Sequence, residues 1–90
     1  MYYAADRETA KRALADLRAA RLGERAATLA LLQRLRNEVA SERTDDLPRI
    51  QAWVSIRTLY DAYKSGDEGD LKLLWQDAIA RTAAWQESLR

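Results

Sequence analysis

The chain has 90 residues, which is enough for one small domain and too few for a second core. It contains neither cysteine nor histidine, which excludes disulfides, thiolate nucleophiles, histidine acid–base catalysis and zinc sites built on these side chains. Fifteen basic and fourteen acidic residues give a net charge of +1, which is too balanced to indicate a general nucleic-acid binder.

The composition predicts an all-α fold. Alanine, leucine, arginine and glutamate dominate, while helix-breaking residues are limited to three glycines and one proline. We expect a single helical domain over residues 1–90, built as a small compact bundle of three to four helices. The C-terminal two helices should form an antiparallel hairpin.

The first half of the chain predicts two helices, over about Asp6–Arg21 and Glu24–Glu42, because apolar residues recur there at helical spacing. Gly23 can cap the first helix and start a tight turn. The two apolar faces are nearly in phase across Gly23, so one long helix is the alternative. That helix would bring charged residues beside its apolar stripe, and we therefore favour the break.

The clearest helix boundary is the stretch SERTDDLPRI. Asp45 or Asp46 can accept hydrogen bonds from the first amides of the next helix, and Pro48 suits its first turn. The third helix, about Leu47–Lys64, is apolar over more than half of its circumference. Such a helix is central to a domain, or has one face for the core and another for a partner.

The stretch KSGDEGD predicts a loop between the third and fourth helices. Gly66 can end the third helix, and Asp67 or Asp70 can cap the fourth, which runs to the C-terminus with a continuous apolar face. The carboxylates of this loop lack the ligand spacing of a calcium-binding loop. We therefore predict no metal site.

The third and fourth helices together resemble one tetratricopeptide-repeat hairpin. Trp53, Ile56 and Tyr60 fall at the spacing of that family's first-helix Trp, Leu and Tyr. Trp75 and Ala78 fall at the spacing of its second-helix aromatic residue and alanine. The resemblance implies binding of a peptide or protein in a groove.

The sequence also departs from that family. Arg57 stands where the family keeps a glycine for close helix packing, Leu71 stands where it keeps a small residue, and the match needs extra residues before Gly66. The resemblance covers one repeat, whereas such repeats need about three or more units to stack. A generic helical hairpin with similar packing is therefore the preferred interpretation.

We expect Trp53, Arg57 and Tyr60 to be the contact residues for a protein partner, because Trp, Tyr and Arg are enriched among interface hot spots. Arg57 lies near one edge of the apolar sector of the third helix. The competing interpretation is structural: the stem of Arg57 packs on Trp53, and its head is solvated or paired with Asp61, one turn later.

Nucleic-acid binding is an alternative, carried by the arginine-rich first half of the chain. Up to Arg43 there are nine basic and six acidic residues, a balance of +3. The acidic residues are interleaved with the basic ones, which favours a solvated, ion-paired surface. The candidate phosphate-contacting residues are Arg7, Lys11, Arg18, Arg25 and Arg36.

Enzymatic chemistry has little support in the sequence. There is no glycine-rich phosphate loop, and a site without histidine or cysteine would need a carboxylate pair, a lysine or a metal held by acids. We predict no catalytic residues, no cofactor and no small-molecule substrate.

The leading hypothesis is a protein–protein interaction module, an adaptor or an inhibitor that occludes its partner; its most specific form is a phage-encoded inhibitor of a host complex. A structural homo-oligomer, such as a phage assembly protein, is a further alternative. No stretch approaches the roughly 20 apolar residues of a membrane span, and the N-terminus lacks the apolar core of a secretory signal. We expect a cytoplasmic protein of a bacterium or an infected host cell.

Overall fold

Four helices make up most of the structure. The computed structural model describes residues 4–20, 24–40, 46–66 and 69–89. Within these ranges the helices are α1 (Ala4–Ala19), α2 (Arg25–Val39), α3 (Leu47–Ser65) and α4 (Leu71–Ser88). The same ranges contain no strand, so the predicted all-α fold is confirmed.

The helices form a ring in which each helix packs on the next, and α4 closes the ring against α1. Across the described ranges, the diagonal pairs α1–α3 and α2–α4 have no Cα atoms within 8 Å of each other. The Trp75 Nε1–H donates to the Leu17 carbonyl at 3.0 Å, joining the start of α4 to the end of α1. The Arg49 guanidinium lies over the Trp85 ring, joining the start of α3 to the end of α4. Neighbouring helices are therefore antiparallel, and the predicted C-terminal hairpin is confirmed.

The core receives large side chains from all four helices, as their apolar periodicity predicts. Leu17 of α1, Leu32 of α2, and Ile56 and Leu59 of α3 are fully buried. Trp85, near the end of α4, is also fully buried, and its Nε1–H has no hydrogen-bond partner among the described residues. The most extensive helix contact is that between α3 and α4, so the hairpin is the best-packed part of the bundle.

The chain turns between Ala19, where α1 ends, and Arg25, where α2 begins. The favoured prediction of two helices rather than one is therefore confirmed, although Gly23 itself lies outside the described residues. Asp16 of α1 and Arg34 of α2 form an ion pair at 3.0 Å, which shows that α2 folds back along α1. The described part of α2 ends at Val39, and the predicted end at Glu42 lies outside it.

Local capping groups define the ends of α3. The Asp46 side chain accepts a hydrogen bond from the Arg49 backbone N–H at 3.4 Å, and Pro48 lies in the first turn. Gly66 ends the helix with a φ of 81°. Asp70 occupies the corresponding position before α4 without a side-chain capping bond. The alternative caps Asp45 and Asp67 lie outside the described residues.

None of the four helices, over its described length, is both long and apolar enough to cross a lipid bilayer.

Candidate functional site

The three predicted contact residues lie along the groove between α2 and α3. Trp53 is half-buried, and its Nε1–H donates to the Arg36 carbonyl of α2 at 3.0 Å. Arg57 is exposed, with its Cζ 5.3 Å from the centre of the Trp53 ring. Tyr60 is only 9% exposed, and its ring lies 5.0 Å from the Cζ of Arg36. The structure therefore brings all three residues together and adds Arg36, which was predicted only as a phosphate contact.

The local ion pair considered for Arg57 is not formed. Asp61 lies one turn further along α3, yet no ion pair joins the two side chains. Arg57 is instead held by its contact with the Trp53 ring. Its packing on Trp53 agrees with the structural interpretation, while its exposed head leaves several guanidinium N–H groups available to a partner.

Basic side chains stacked on aromatic rings recur along this groove. Lys64 Nζ lies 5.9 Å from the Tyr60 ring centre, and Arg25 Cζ lies 5.5 Å from that of Tyr63. Four such contacts, with distances of 5.0 to 5.9 Å between the cation and the ring centre, therefore follow one another along this groove. We call this surface the basic–aromatic seam and define it as Arg36, Trp53, Arg57, Tyr60 and Lys64.

The positive charge of the basic–aromatic seam is not neutralised by ion pairs. Within the described ranges, no carboxylate forms an ion pair with Arg36, Arg57 or Lys64. On the α1-facing side of α2, by contrast, Arg34 is paired with Asp16 at 3.0 Å. Two of the acids interleaved in the first half, Asp16 and Glu38, therefore pair with Arg34 and not with the seam.

Two further arginines tie α2 and α3 together at opposite ends. Arg25, at the start of α2, donates to the carbonyls of Tyr63 and Lys64 at the end of α3, both at 3.1 Å. Arg49, in the first turn of α3, donates to the Val39 carbonyl at the end of α2 at 2.9 Å. The last carbonyls of a helix lack intrahelical partners and carry partial negative charge. Arg25 therefore supplies hydrogen-bond donors to the C-terminal end of α3, and Arg49 supplies them to the C-terminal end of α2.

These bonds change the interpretation of Arg25 and reveal Arg49. Arg25 was a candidate phosphate contact, but its guanidinium is engaged with backbone carbonyls. Sequence reasoning missed Arg49 altogether, because its acceptors are defined by the packing of α2 rather than by any local motif. The one available signal was its place in the first turn of a helix, where a basic side chain is unfavourable for the helix dipole and needs another reason to be there.

An apolar hollow lies at the end of the basic–aromatic seam, beside Trp53. It has a volume of about 70 Å³ and is lined by Val39, Ala40, Arg49, Ile50 and Trp53. Val54, on the neighbouring turn of α3, is 47% exposed. The seam therefore offers an apolar end with room for a small aliphatic side chain, followed by a basic stretch.

The structure does not gather the five candidate phosphate contacts on one surface. Arg25 and Arg36 lie at the α2–α3 groove. Arg7, Lys11 and Arg18 are exposed on α1. Because Asp16 points toward α2, Arg18, two residues further on, lies on the side of α1 that faces α4. In a ring of four helices the α1–α4 and α2–α3 grooves are on opposite sides, so the set is divided between them.

A second hollow, of about 220 Å³, lies between the end of α1 and the start of α2. Small residues dominate its lining, and Glu24 is the single titratable residue among the described residues that line it. One carboxylate does not provide an acid–base pair. Among the described residues, no three metal-ligating side chains converge on a common point.

No protein-family model, curated protein or solved structure matches this chain. The resemblance to a tetratricopeptide-repeat hairpin therefore remains a prediction from spacing, and function has to be argued from the α2–α3 groove itself.

Proposed function

We propose that the chain is a non-enzymatic protein–protein interaction module, an adaptor or an inhibitor that binds and occludes its partner through the basic–aromatic seam. The observation that supports this most directly is the setting of Trp53. Its ring is held by the Arg36 carbonyl and stacked under Arg57, beside an apolar hollow. An aromatic side chain that is already fixed loses little conformational entropy on binding.

The three predicted residues have different parts in this proposal. Trp53 and Arg57 have exposed surface and are the contact residues. Tyr60, at 9% exposure, contributes mainly by holding Arg36 and Lys64 over its ring. This arrangement suits an interface in which a few anchored side chains supply most of the binding energy.

Nucleic-acid binding is less well supported by the same geometry. Single-stranded nucleic acids bind by stacking bases on free aromatic faces. At the basic–aromatic seam, Arg57 occupies a face of Trp53, and Tyr60 is almost wholly covered. The remaining candidate phosphate contacts, Arg7, Lys11 and Arg18, lie on another helix.

We place this activity in the cytoplasm of a bacterium or an infected host cell, with a phage-encoded inhibitor of a host complex as its most specific form. The support for a bacterial or phage source is compositional, since twelve of the fifteen basic residues are arginine, a bias typical of GC-rich genomes. The seam would serve an inhibitor or an adaptor equally well.

The test is affinity capture of the tagged chain from lysate of its native or host organism, with and without nuclease. Arg57→Ala is compared with Arg81→Ala, which removes an arginine that is likewise exposed but lies on α4, where it pairs with Asp77. We expect a stoichiometric protein that survives nuclease, is lost from the Arg57 variant and is retained by the Arg81 variant. Capture that disappears with nuclease, or recovery of the chain alone, would refute the proposal in favour of nucleic acid or self-association.

A further inference from the structure

We infer that the partner presents an acidic amphipathic helix to the basic–aromatic seam, with one aliphatic side chain in the hollow beside Trp53 and carboxylates facing Arg57 and Lys64. This inference rests on the proposed function and specifies the chemistry of the partner.

Charge is distributed unevenly around the bundle, and this distribution selects the partner. Helices α2 and α3 carry six basic and two acidic residues, a net charge of +4. Helices α1 and α4 carry six basic and five acidic residues, a net charge of +1. Of the two acids on α2 and α3, Glu38 is 3.8 Å from Arg34, away from the seam, and Asp61 is exposed one turn after Arg57. The α2–α3 side would therefore attract an acidic surface and orient it during association.

The spacing along α3 specifies how such a helix would lie. Ile50 lines the hollow, Arg57 follows seven residues later, and Lys64 follows after seven more. Each interval is two turns, or about 10 Å along the axis. A partner helix running along the seam with its aliphatic residue in the hollow would meet both cations with carboxylates placed about seven and fourteen residues from that anchor.

A second copy of the chain fits this surface poorly. Most homodimers are two-fold symmetric and bring the same patch of both copies together. At the seam, such a contact would bring Arg36, Arg57 and Lys64 of both copies together with Asp61 as the one nearby described carboxylate of each copy, which leaves positive charge in excess. Like charges directly opposed are unfavourable. The positive charge of the seam therefore favours an acidic polypeptide as its partner.

The probe is a fluorescently labelled helical peptide that carries leucine at the anchor and glutamate about seven and fourteen residues later. Its anisotropy is titrated with the full chain. We expect saturable one-to-one binding that the double variant Arg57→Glu/Lys64→Glu weakens about tenfold or more. The matched control, Arg18→Glu/Lys72→Glu, makes the same charge change on exposed residues of α1 and α4 and should bind as the unaltered chain does.

A peptide with lysine in place of both glutamates should restore binding to the Arg57→Glu/Lys64→Glu chain. Absence of peptide binding, or equal weakening by the two double variants, would overturn the inference, because only a general charge effect would then remain. Displacement of the peptide by a single-stranded oligonucleotide, or a dimeric solution mass of the chain that becomes monomeric in the Arg57→Glu/Lys64→Glu variant, would assign the seam to another occupant. Circular dichroism of each variant confirms that the helices are retained.

The lysate capture separates this inference from the proposed function. A protein that is captured through Arg57 but is not displaced by the acidic peptide would leave the proposed function standing and overturn the acidic partner. Failure to capture any protein would overturn both. Capture that depends on Arg57 and is displaced by the acidic peptide would support both.

Discussion

Arginine serves two different purposes within a few turns of α3, and the destination of its N–H groups distinguishes them. Arg49 donates to the carbonyls of Glu38, Val39 and Ala40. Arg57 forms no hydrogen bond with the described residues and stacks on Trp53. The first arrangement stabilises the folded chain directly, whereas the second leaves hydrogen-bonding capacity for another molecule.

Replacing Arg49 with alanine should therefore destabilise the protein substantially. Three carbonyl oxygens at the end of α2 would lose their donor, and hydrogen bonds from a charged group contribute about 1.5–3 kcal/mol. We expect the free energy of unfolding, measured by urea denaturation, to fall by about 2–3 kcal/mol. Arg49→Lys should recover part of the loss, since an ammonium group keeps the charge but not the planar fork. An unchanged denaturation midpoint for Arg49→Ala would contradict this role.

The same substitution at Arg57 should have little effect on stability. An exposed cation–π contact contributes about 0.5–1 kcal/mol, and Arg57 has no ion pair among the described residues. We expect Arg57→Ala to lower the melting temperature by only a few degrees while weakening the partner complex. A large fall in melting temperature would identify Arg57 as structural and refute its assignment to the interface.

Thr82 should tolerate, and benefit from, loss of its hydroxyl group. The residue is fully buried, and its Oγ1 has no hydrogen-bond partner in the part of the chain that the structure describes. Burying an unpaired hydroxyl is unfavourable, so Thr82→Val should raise the free energy of unfolding by about 1 kcal/mol. Thr82→Ser is the matched control, because it keeps the hydroxyl and removes a buried methyl, and it should be destabilising. Stabilities in the reverse order would show that the hydroxyl is satisfied in solution.

At the scale of the helix, Gly66 shows how one residue can determine where an element ends. Its φ of 81° lies in the left-handed region, which other residues adopt at a cost. A Cβ added there would meet nothing within 4 Å, so the penalty is conformational rather than steric. We expect Gly66→Ala to lower the free energy of unfolding by about 1 kcal/mol. Gly66→Asn should cost less, since asparagine tolerates this conformation better, and thermal denaturation of both variants tests the order.

The ends of α3 could be predicted from sequence because their chemistry is local. Asp46 caps a backbone amide three residues away, and Gly66 acts at its own position. The arginine ties could not be predicted in this way, because the acceptors of Arg25 are 38 and 39 residues distant. Asp70 shows the converse: a suitable residue occupies the right position without forming the capping bond.

The candidate site was predictable only in part, for the same reason. Helical spacing places Trp53, Arg57 and Tyr60 on one side of α3. The contribution of Arg36 and the burial of Tyr60 depend on how α2 packs, which no local pattern specifies. The division of the arginine-rich first half between two grooves likewise appears only once the ring of helices is known.

On the scale of the whole molecule, the bundle is elongated, with extents of 39 × 21 × 19 Å. The helices run along this length, so each groove presents a long surface rather than a compact pocket. The α2–α3 groove combines that length with an excess of positive charge. An extended segment of a partner that lies in this groove can therefore contact several turns of α2 and α3 at once.

Local opening of this bundle should begin at one side. The guanidinium groups of Arg25 and Arg49 donate to backbone carbonyls of the neighbouring helix and join α2 to α3 at both ends. The Arg34–Asp16 pair between α1 and α2, by contrast, is a surface ion pair, and such pairs contribute little to stability. Among the described residues, helices α1 and α2 also make the least extensive contact in the ring. Amide hydrogen exchange should therefore be faster in α1, while α2 and α3 remain protected as a joined pair.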